Sequence, residues 1–207
     1  GGRVVSLWTP DRDGNMEDIV LGYDKLDRYV NNTGERFLGA PVGRVANRIN
    51  KGEFELDGVK YNVPQNSNGH ALHGGNKGID MVVWDVEYVA DNAITLVLHS
   101  KDGEDGFPGN LDITMTYTLT PENEFEVTYH AKTDKKTVVN LSHHSFFNLK
   151  GEGNGTIEDH ILTIKADKIT PTDAGLIPTG ELLAVDGTPF DFREPHTIGE
   201  RIGADDV

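Results

Sequence analysis

The sequence predicts an all-β protein, built as one large antiparallel β-sandwich domain over residues 1–207. Three observations predict this class. Apolar and polar residues alternate with the period of a strand over most of the chain. Helical periodicity is scarce, and 24 glycines and nine prolines separate short segments at the spacing of a sandwich or barrel. With 36% apolar and 26% charged residues, the 207-residue chain is long enough to bury a core.

Two β-hairpins are predicted in the first half of the chain. Segments 54–56 and 59–63 alternate around Asp57-Gly58, and an Asp-Gly pair between alternating segments is a strong two-residue turn signal. Segments 85–89 and 93–98 alternate around Asp91-Asn92. Each pair of segments is therefore expected to form two adjacent antiparallel strands.

The clearest alternation lies in segment 111–119. Threonines and one aspartate occupy one face, and the other face carries Leu111, Ile113, Met115, Tyr117 and Leu119. Such a strand buries one face and exposes the other. The pattern continues in Phe125, Val127 and Tyr129, and segments 138–141 and 161–164 are predicted as further short strands.

The charge balance excludes two classes of partner. Nineteen basic and 34 acidic residues give a formal net charge of −15, which repels nucleic acid and anionic membrane surfaces. No apolar run approaches the length of a transmembrane helix. The absence of cysteine excludes disulfides and fits the cytoplasm, although a periplasmic or secreted chain remains open. The chain starts at Gly1 without methionine, and we expect the sandwich to be incomplete at both ends.

Segment 43–49 places Arg44, Asn47 and Arg48 among small and apolar residues. Planar guanidinium groups suit recognition of paired hydroxyls or carboxylates. The alternative is a strand edge with solvated arginines.

Segment 70–75 ends in His73-Gly74-Gly75. Backbone or ligand can approach closely at such glycines. A turn with a surface histidine is the alternative.

Segment 140–149 contains His143 and His144, followed by Phe146 and Phe147. In a strand, the two histidines face opposite ways. One can enter a pocket whose apolar surroundings shift its pKa, while the other faces the core or solvent. A core histidine with satisfied hydrogen bonds is the alternative.

In segment 188–193, Asp191 lies between two phenylalanines, and a carboxylate there is costly to bury unless paired. A structural salt bridge to Arg193 is the alternative to a ligand contact.

A further candidate is a metal site formed by His70 and His73 with either His143 or His144. No acidic partner at a familiar metal spacing supports such a site, and no Gly-x-Ser-x-Gly elbow indicates a serine hydrolase.

Taken in order, five motifs resemble those of the aldose 1-epimerase, or galactose-mutarotase-like, family. They lie in segments 39–49, 72–84, 105–111, 144–149 and 187–192. The resemblance implies a galactose-mutarotase-like supersandwich that interconverts the α and β anomers of free galactose or glucose. It also implies no metal and no organic cofactor, and a monomer or homodimer.

The resemblance assigns roles to five residues. His144 matches the general acid that protonates the ring oxygen, and His73 matches the second active-site histidine. Asn47 and Arg48 match a pair that contacts sugar hydroxyls, and Asp191 matches an aspartate that holds hydroxyls further round the ring.

The sequence departs from the family at the general base. The resemblance implies a glutamate well C-terminal of segment 188–192, and Glu194 and Glu200 lie too close to that segment to match it. Two alternatives to the isomerase therefore stay open. One is a non-catalytic carbohydrate-binding sandwich, which the missing match favours. The other is a hexose-6-phosphate 1-epimerase, which requires an extra basic cluster for the phosphate.

Overall fold

The computed structural model describes residues 1–205, which form strands almost throughout. The helical elements among these residues are one α-helix, α1 (Leu26–Val30), and three single 3₁₀ turns at Asn50–Gly52, Glu104–Gly106 and Ile198–Glu200. The strands, in chain order, are β1 (Trp8–Pro10), β2 (Met16–Asp18), β3 (Ala40–Val42), β4 (Arg48–Ile49), β5 (Glu53–Leu56), β6 (Val59–Asn62), β7 (Ala71–Leu72), β8 (Asp85–Ala90), β9 (Ala93–Ser100), β10 (Leu111–Leu119), β11 (Phe125–Thr133), β12 (Ser142–His144), β13 (Ile161–Leu162), β14 (Lys168–Ile169), β15 (Leu183–Ala184) and β16 (His196–Thr197).

The chain divides into two compact units. The first unit consists of Gly1–Val4 with Lys25–Ser145, and the second consists of Val5–Asp24 with the residues from Phe146 onward. The prediction of a single domain over the whole chain stays a prediction.

The first unit is organised around an antiparallel sheet with the strand order β11-β10-β9-β8. Strand β10 lies inside this sheet, and its alternating residues Leu111, Ile113, Met115 and Tyr117 are buried as predicted. Leu119, expected on the same face, ends the strand and is 50% exposed. Burying one such apolar side chain contributes about 1.5–3 kcal/mol, so β10 is the centre of the core. Ile79, Trp84 and Leu96 pack into the same cluster.

Both predicted hairpins are present. Strands β5 and β6 pair from Glu53–Asn62 to Leu56–Val59. Asp57 and Gly58 have φ of 50° and 80°, the pair of positive angles that a type I′ turn requires. Strands β8 and β9 pair around Asp91-Asn92, with a register shift between Val86 and Tyr88.

Two of the short predicted strands are displaced. Segment 138–141 forms only an isolated bridge, between Asn140 and Val45. The strand begins at Ser142 instead, because the partner strand β3 faces Ser142–His144. Segment 161–164 is a strand only at Ile161–Leu162, since its partner β16 offers two residues.

The second unit consists of short antiparallel pairs: β1 with β2, β13 with β16 and β14 with β15. A bridge between Val20 and Phe147 joins its N-terminal and C-terminal segments. In neither unit does any helix of the described residues have the length and apolarity needed to cross a membrane.

Candidate active site

Asn47 and His73 lie at the end of the short ladder between β4 and β7, in which Arg48 pairs with Leu72. The backbone N–H of His73 donates to the carbonyl of Asn47 at 3.0 Å. In return, the backbone N–H of Asn47 donates to Nδ1 of the His73 ring at 2.9 Å. Both residues have positive φ, 62° and 50°, which turns the chain out of the ladder. Two hydrogen bonds therefore fix both the backbone and the ring of His73.

Gly74 allows this loop to pack tightly. Its φ is +91°, and a Cβ at this position would lie 1.8 Å from the carbonyl oxygen of Gly43. The His-Gly-Gly pattern is thus explained by a close backbone approach between segments 43–49 and 70–75. The two motifs form one local structure.

His144 lies on β12 and pairs with Ala40 of β3. Its ring meets that of His73 edge to face, with centroids 5.1 Å apart and planes at 86°. Phe37 packs against both rings, at 4.6 Å from His73 and 5.7 Å from His144. The structure therefore brings together four of the five predicted site residues, all in the first unit. Phe37 was not predicted; an aromatic residue two positions before the Gly39 motif was its one sequence signal.

Burial, and then the neighbouring His144, lowers the pKa of His73 from 6.5 to about 4. Arg48 and Arg36 lower it further, whereas Asp80 acts in the opposite direction. His73 is therefore neutral near pH 7. Because its Nδ1 accepts the N–H of Asn47, the single ring proton lies on Nε2. His73 thus presents an N–H donor from Nε2.

This tautomer gives a direct prediction. We expect ¹⁵N NMR of the ring nitrogens to show His73 as the Nε2–H tautomer and to find it neutral down to about pH 4. His130, which lies on the exposed side of β11, serves as an internal reference. A proton on Nδ1, or a midpoint near 6.5, would contradict the arrangement with Asn47.

The two arginines of segment 43–49 have different roles. Arg44 is buried, and its guanidinium donates to the side chain of Ser100 and to four carbonyls that flank the loop between β9 and β10, including that of Gly109 at 2.9 Å. It is structural, so a solvated surface arginine is the wrong interpretation for Arg44.

Arg48 donates from Nη1 to Oδ1 of Asn47 at 3.3 Å. Within residues 1–205, its buried Nε has no hydrogen-bond partner, and a buried orphan donor of this kind calls for an explanation.

His143 faces away from His144, as the alternation predicts. Its ring packs edge to face on Tyr117 and Phe125, with centroids 5.5 Å and 5.9 Å away. Burial lowers the pKa of His143 to about 4, against a hydrogen bond with the backbone of Gly39 that raises it. His143 is thus a core histidine in its burial and ring packing, although its buried Nε2 has no hydrogen-bond partner within residues 1–205. His144 instead joins His73.

The depressed pKa of His143 predicts a loss of stability in acid. An unfolded histidine titrates near 6.5, so between about pH 6.5 and 4 the unfolded chain binds more protons than the folded one. The free energy of unfolding should fall across this window. Urea unfolding at pH 7 and pH 5 should show a smaller fall for His143→Leu than for the wild type, since His73 still contributes in the same direction. An equal fall in both proteins would contradict the buried neutral state of His143.

Asp191 lies in the second unit and is held by Arg193. Its carboxylate accepts hydrogen bonds from Nε and Nη2 of Arg193 at 2.8 and 2.6 Å. These hydrogen bonds hold the pKa of Asp191 at about 2. This geometry is the salt bridge that the sequence offers as the alternative to a ligand contact, and the contact of Asp191 with a sugar stays a prediction.

The candidate set of three histidines does not form a metal site. Across residues 1–205, no group of three or more His, Cys, Asp or Glu side chains is placed to hold a metal ion. Nδ1 of His70 instead accepts the backbone N–H of Lys51 at 3.0 Å. Nδ1 of His70 is thus occupied by a local backbone hydrogen bond, just as Nδ1 of His73 is occupied by the N–H of Asn47.

The fold and the site together define a β-sandwich protein with a close pair of histidines, one of them held neutral, beside an asparagine and an arginine. The chain belongs to the aldose 1-epimerase family, whose model matches residues 1–207. This confirms the resemblance on which the site residues were assigned.

Relatives agree with this membership. The chain is 45% identical over 202 residues to a galactose mutarotase of Bos taurus, covering 98% of this chain and 58% of that protein. It is 38% identical over 206 residues to an aldose 1-epimerase of Escherichia coli K12, covering 100% and 59%. A solved structure of an aldose epimerase homologue from C. elegans superposes with a TM-score of 0.90 at 31% identity, covering 98% of this chain and 62% of that one. The β-sandwich fold class is thereby confirmed, over a chain that spans about three fifths of the curated relatives' length.

Proposed function

We propose that the protein is an aldose 1-epimerase, an isomerase that interconverts the α and β anomers of free hexoses such as galactose and glucose. The observation that carries the proposal is the His73–His144 pair, 5.1 Å between ring centroids, with His73 hydrogen-bonded as a neutral donor. The family and its relatives named galactose mutarotase support the same reaction.

The reaction opens and recloses the sugar ring. A base takes the proton of the anomeric hydroxyl, the bond between C1 and the ring oxygen breaks, and its electron pair passes to the ring oxygen. We propose that His144 donates the proton that this oxygen receives. The open aldehyde then rotates about one bond and recloses with the roles exchanged. Positioned proton transfer of this kind contributes about 100- to 10,000-fold.

His73 supports the acid by remaining uncharged. Two imidazolium ions at this distance would repel each other, and the proximity of His144 is one cause of the low pKa of His73. A neutral His73 adds no charge of its own beside the acid. We propose that the Nε2–H of His73 donates to a sugar oxygen near the reacting carbon.

The remaining site residues are proposed to bind hydroxyls. The buried Nε of Arg48 has no partner among the described residues, and a sugar hydroxyl would give it an acceptor. The side chain of Asn47 is exposed beside it. We propose that Asp191 accepts a hydrogen bond from a sugar hydroxyl at the lone pair of Oδ2 that Arg193 leaves unused. The absence of cysteine supports the cytoplasmic location that we propose with this activity.

The second candidate that the sequence leaves open is a carbohydrate-binding protein without catalysis, and the relatives named galactose mutarotase and aldose 1-epimerase do not favour it. The isomerase needs a base at the anomeric hydroxyl, whereas sugar binding alone does not. Sugar binding uses the same hydroxyl contacts in both cases. The two candidates therefore differ in turnover and agree in binding.

Exchange NMR at anomeric equilibrium tests the function and its substrate class. We expect magnetisation transfer between the α and β anomeric protons of galactose and glucose, at a rate that grows with protein concentration. Galactose 6-phosphate serves as the comparison sugar. Transfer for the phosphorylated sugar alone would indicate the hexose-6-phosphate epimerase, and binding without transfer would indicate the non-catalytic protein.

A further inference from the structure

Asp80 is a buried carboxylate next to the histidine pair. Its side chain is fully inaccessible, and Arg36 binds it in a bidentate fashion, with Nε–Oδ2 at 2.8 Å and Nη2–Oδ1 at 2.9 Å. Arg3 lies 3.5 Å from Oδ2. A buried charge is tolerated only when it is paired in this way. The chain therefore maintains a costly charge cluster close to His73.

Arg36 also contacts both supports of the site. Its Nη1 donates to the carbonyl of Gly75 at 3.3 Å, two residues after His73. Its guanidinium carbon lies 4.9 Å from the ring centroid of Phe37. Phe37 in turn packs on the rings of His73 and His144. One guanidinium thus contacts the loop that carries His73 and the aromatic ring that spaces the two histidines.

We propose that Arg36, fixed by Asp80, is a positioning residue that sets the geometry of the His73–His144 pair through Phe37 and the loop 73–75. The kinetic part of this inference rests on the proposed function. The structural part does not, because the position and titration of His73 can be followed without turnover.

The pKa of His73 responds both to burial and to nearby charges, and Arg36→Lys, which keeps the charge, separates the two effects. The charged groups that act on His73 are His144, Asp80, Arg48 and Arg36. Arg36→Met removes a positive charge that lowers the pKa of His73. It also leaves the negative charge of Asp80, which raises the same pKa, less well neutralised. The midpoint of His73 should therefore move upward from about 4.

The first experiment compares Arg36→Met with Arg3→Met. Arg36→Met should lower kcat by about 10- to 100-fold with KM changed little, as expected when reacting groups are misplaced. It should also raise the pKa of His73, measured by ¹⁵N NMR. Arg3→Met is the comparison variant. It removes a cation from the same carboxylate and two hydrogen bonds to the carbonyls of Arg36 and Leu38, but it removes no contact of the Arg36 guanidinium with Gly75 or Phe37. It should raise the His73 midpoint and lower kcat by clearly less than Arg36→Met does.

A second pair of variants separates positioning from stability. Arg36→Lys keeps the charge and should keep the His73 midpoint low, while kcat recovers in part. The double variant Arg36→Met/Asp80→Asn leaves no uncompensated buried carboxylate and should fold if the single variant does not. In the double variant, amide exchange at His73 and Gly75 should still quicken about tenfold or more, because the loop has lost its clamp.

The inference is overturned if folded Arg36→Met keeps both the wild-type kcat and the His73 midpoint. It is also overturned if Arg3→Met reproduces every change, since the effect would then belong to the cluster as a whole. If the wild type itself shows no turnover, the proposed function fails. The midpoint and amide exchange of His73 then decide this inference alone.

Discussion

Replacing His144 by alanine is expected to lower kcat for anomer interconversion by about 100- to 10,000-fold, the usual contribution of a positioned proton donor. The affinity for galactose should change little, because the variant removes an acid and leaves Asn47, Arg48 and His73 in place. Polarimetric kinetics and calorimetric titration of the same sample measure the two quantities.

His143→Leu is the matched control for this variant. It changes the adjacent histidine of the same strand, which packs on Tyr117 and Phe125 instead of His73. Its kcat should stay near the wild-type value at pH 7. If galactose affinity falls in step with activity in His144→Ala, His144 acts as a binding group and its assignment as the acid is wrong.

The second large effect is expected for Gly74→Ala. The new Cβ would lie 1.8 Å from the carbonyl oxygen of Gly43, and neither backbone segment can yield without moving the loop that carries His73. Overpacking and the left-handed φ of +91° together should cost about 3 kcal/mol or more of unfolding free energy. Activity should fall even in the folded fraction.

Gly103→Ala separates these two causes. Gly103 has a similar φ of +83°, but a Cβ at this position would meet nothing within 4 Å, so only the conformational strain of about 1–2 kcal/mol remains. Urea unfolding of the two variants should differ by the cost of the clash. Equal destabilisation would show that the contact between Gly74 and Gly43 is not tight.

The sequence predicted the elements that depend on local pattern. The Asp57-Gly58 hairpin and the alternation of β10 follow from turn chemistry and from one-sided burial, both of which are local. The same alternation correctly separated His143 from His144. Segment 138–144 shows the limit, because its apolar residues fit a strand at several positions. The actual strand, Ser142–His144, is selected by the pairing with β3, about 100 residues away in the sequence.

The support of the site could not be predicted in the same way. Phe37, Arg36 and Asp80 meet His73 only in the folded first unit, and Arg36 and Asp80 are 44 residues apart. One signal was present: Asp80 lies in the mostly apolar segment 79–84, where a carboxylate requires a cationic partner. Likewise, residue type alone did not separate Arg44 from Arg48, since only their contacts show which of them is structural.

Catalysis through His144 is tested most directly by polarimetry of freshly dissolved α-galactose with the wild type, His144→Ala and buffer alone. We expect the wild type to accelerate mutarotation in proportion to its concentration, and His144→Ala to stay close to the buffer rate. A wild-type protein that binds galactose but leaves mutarotation at the buffer rate would contradict the proposed catalysis. It would show that this chain binds the sugar without converting it.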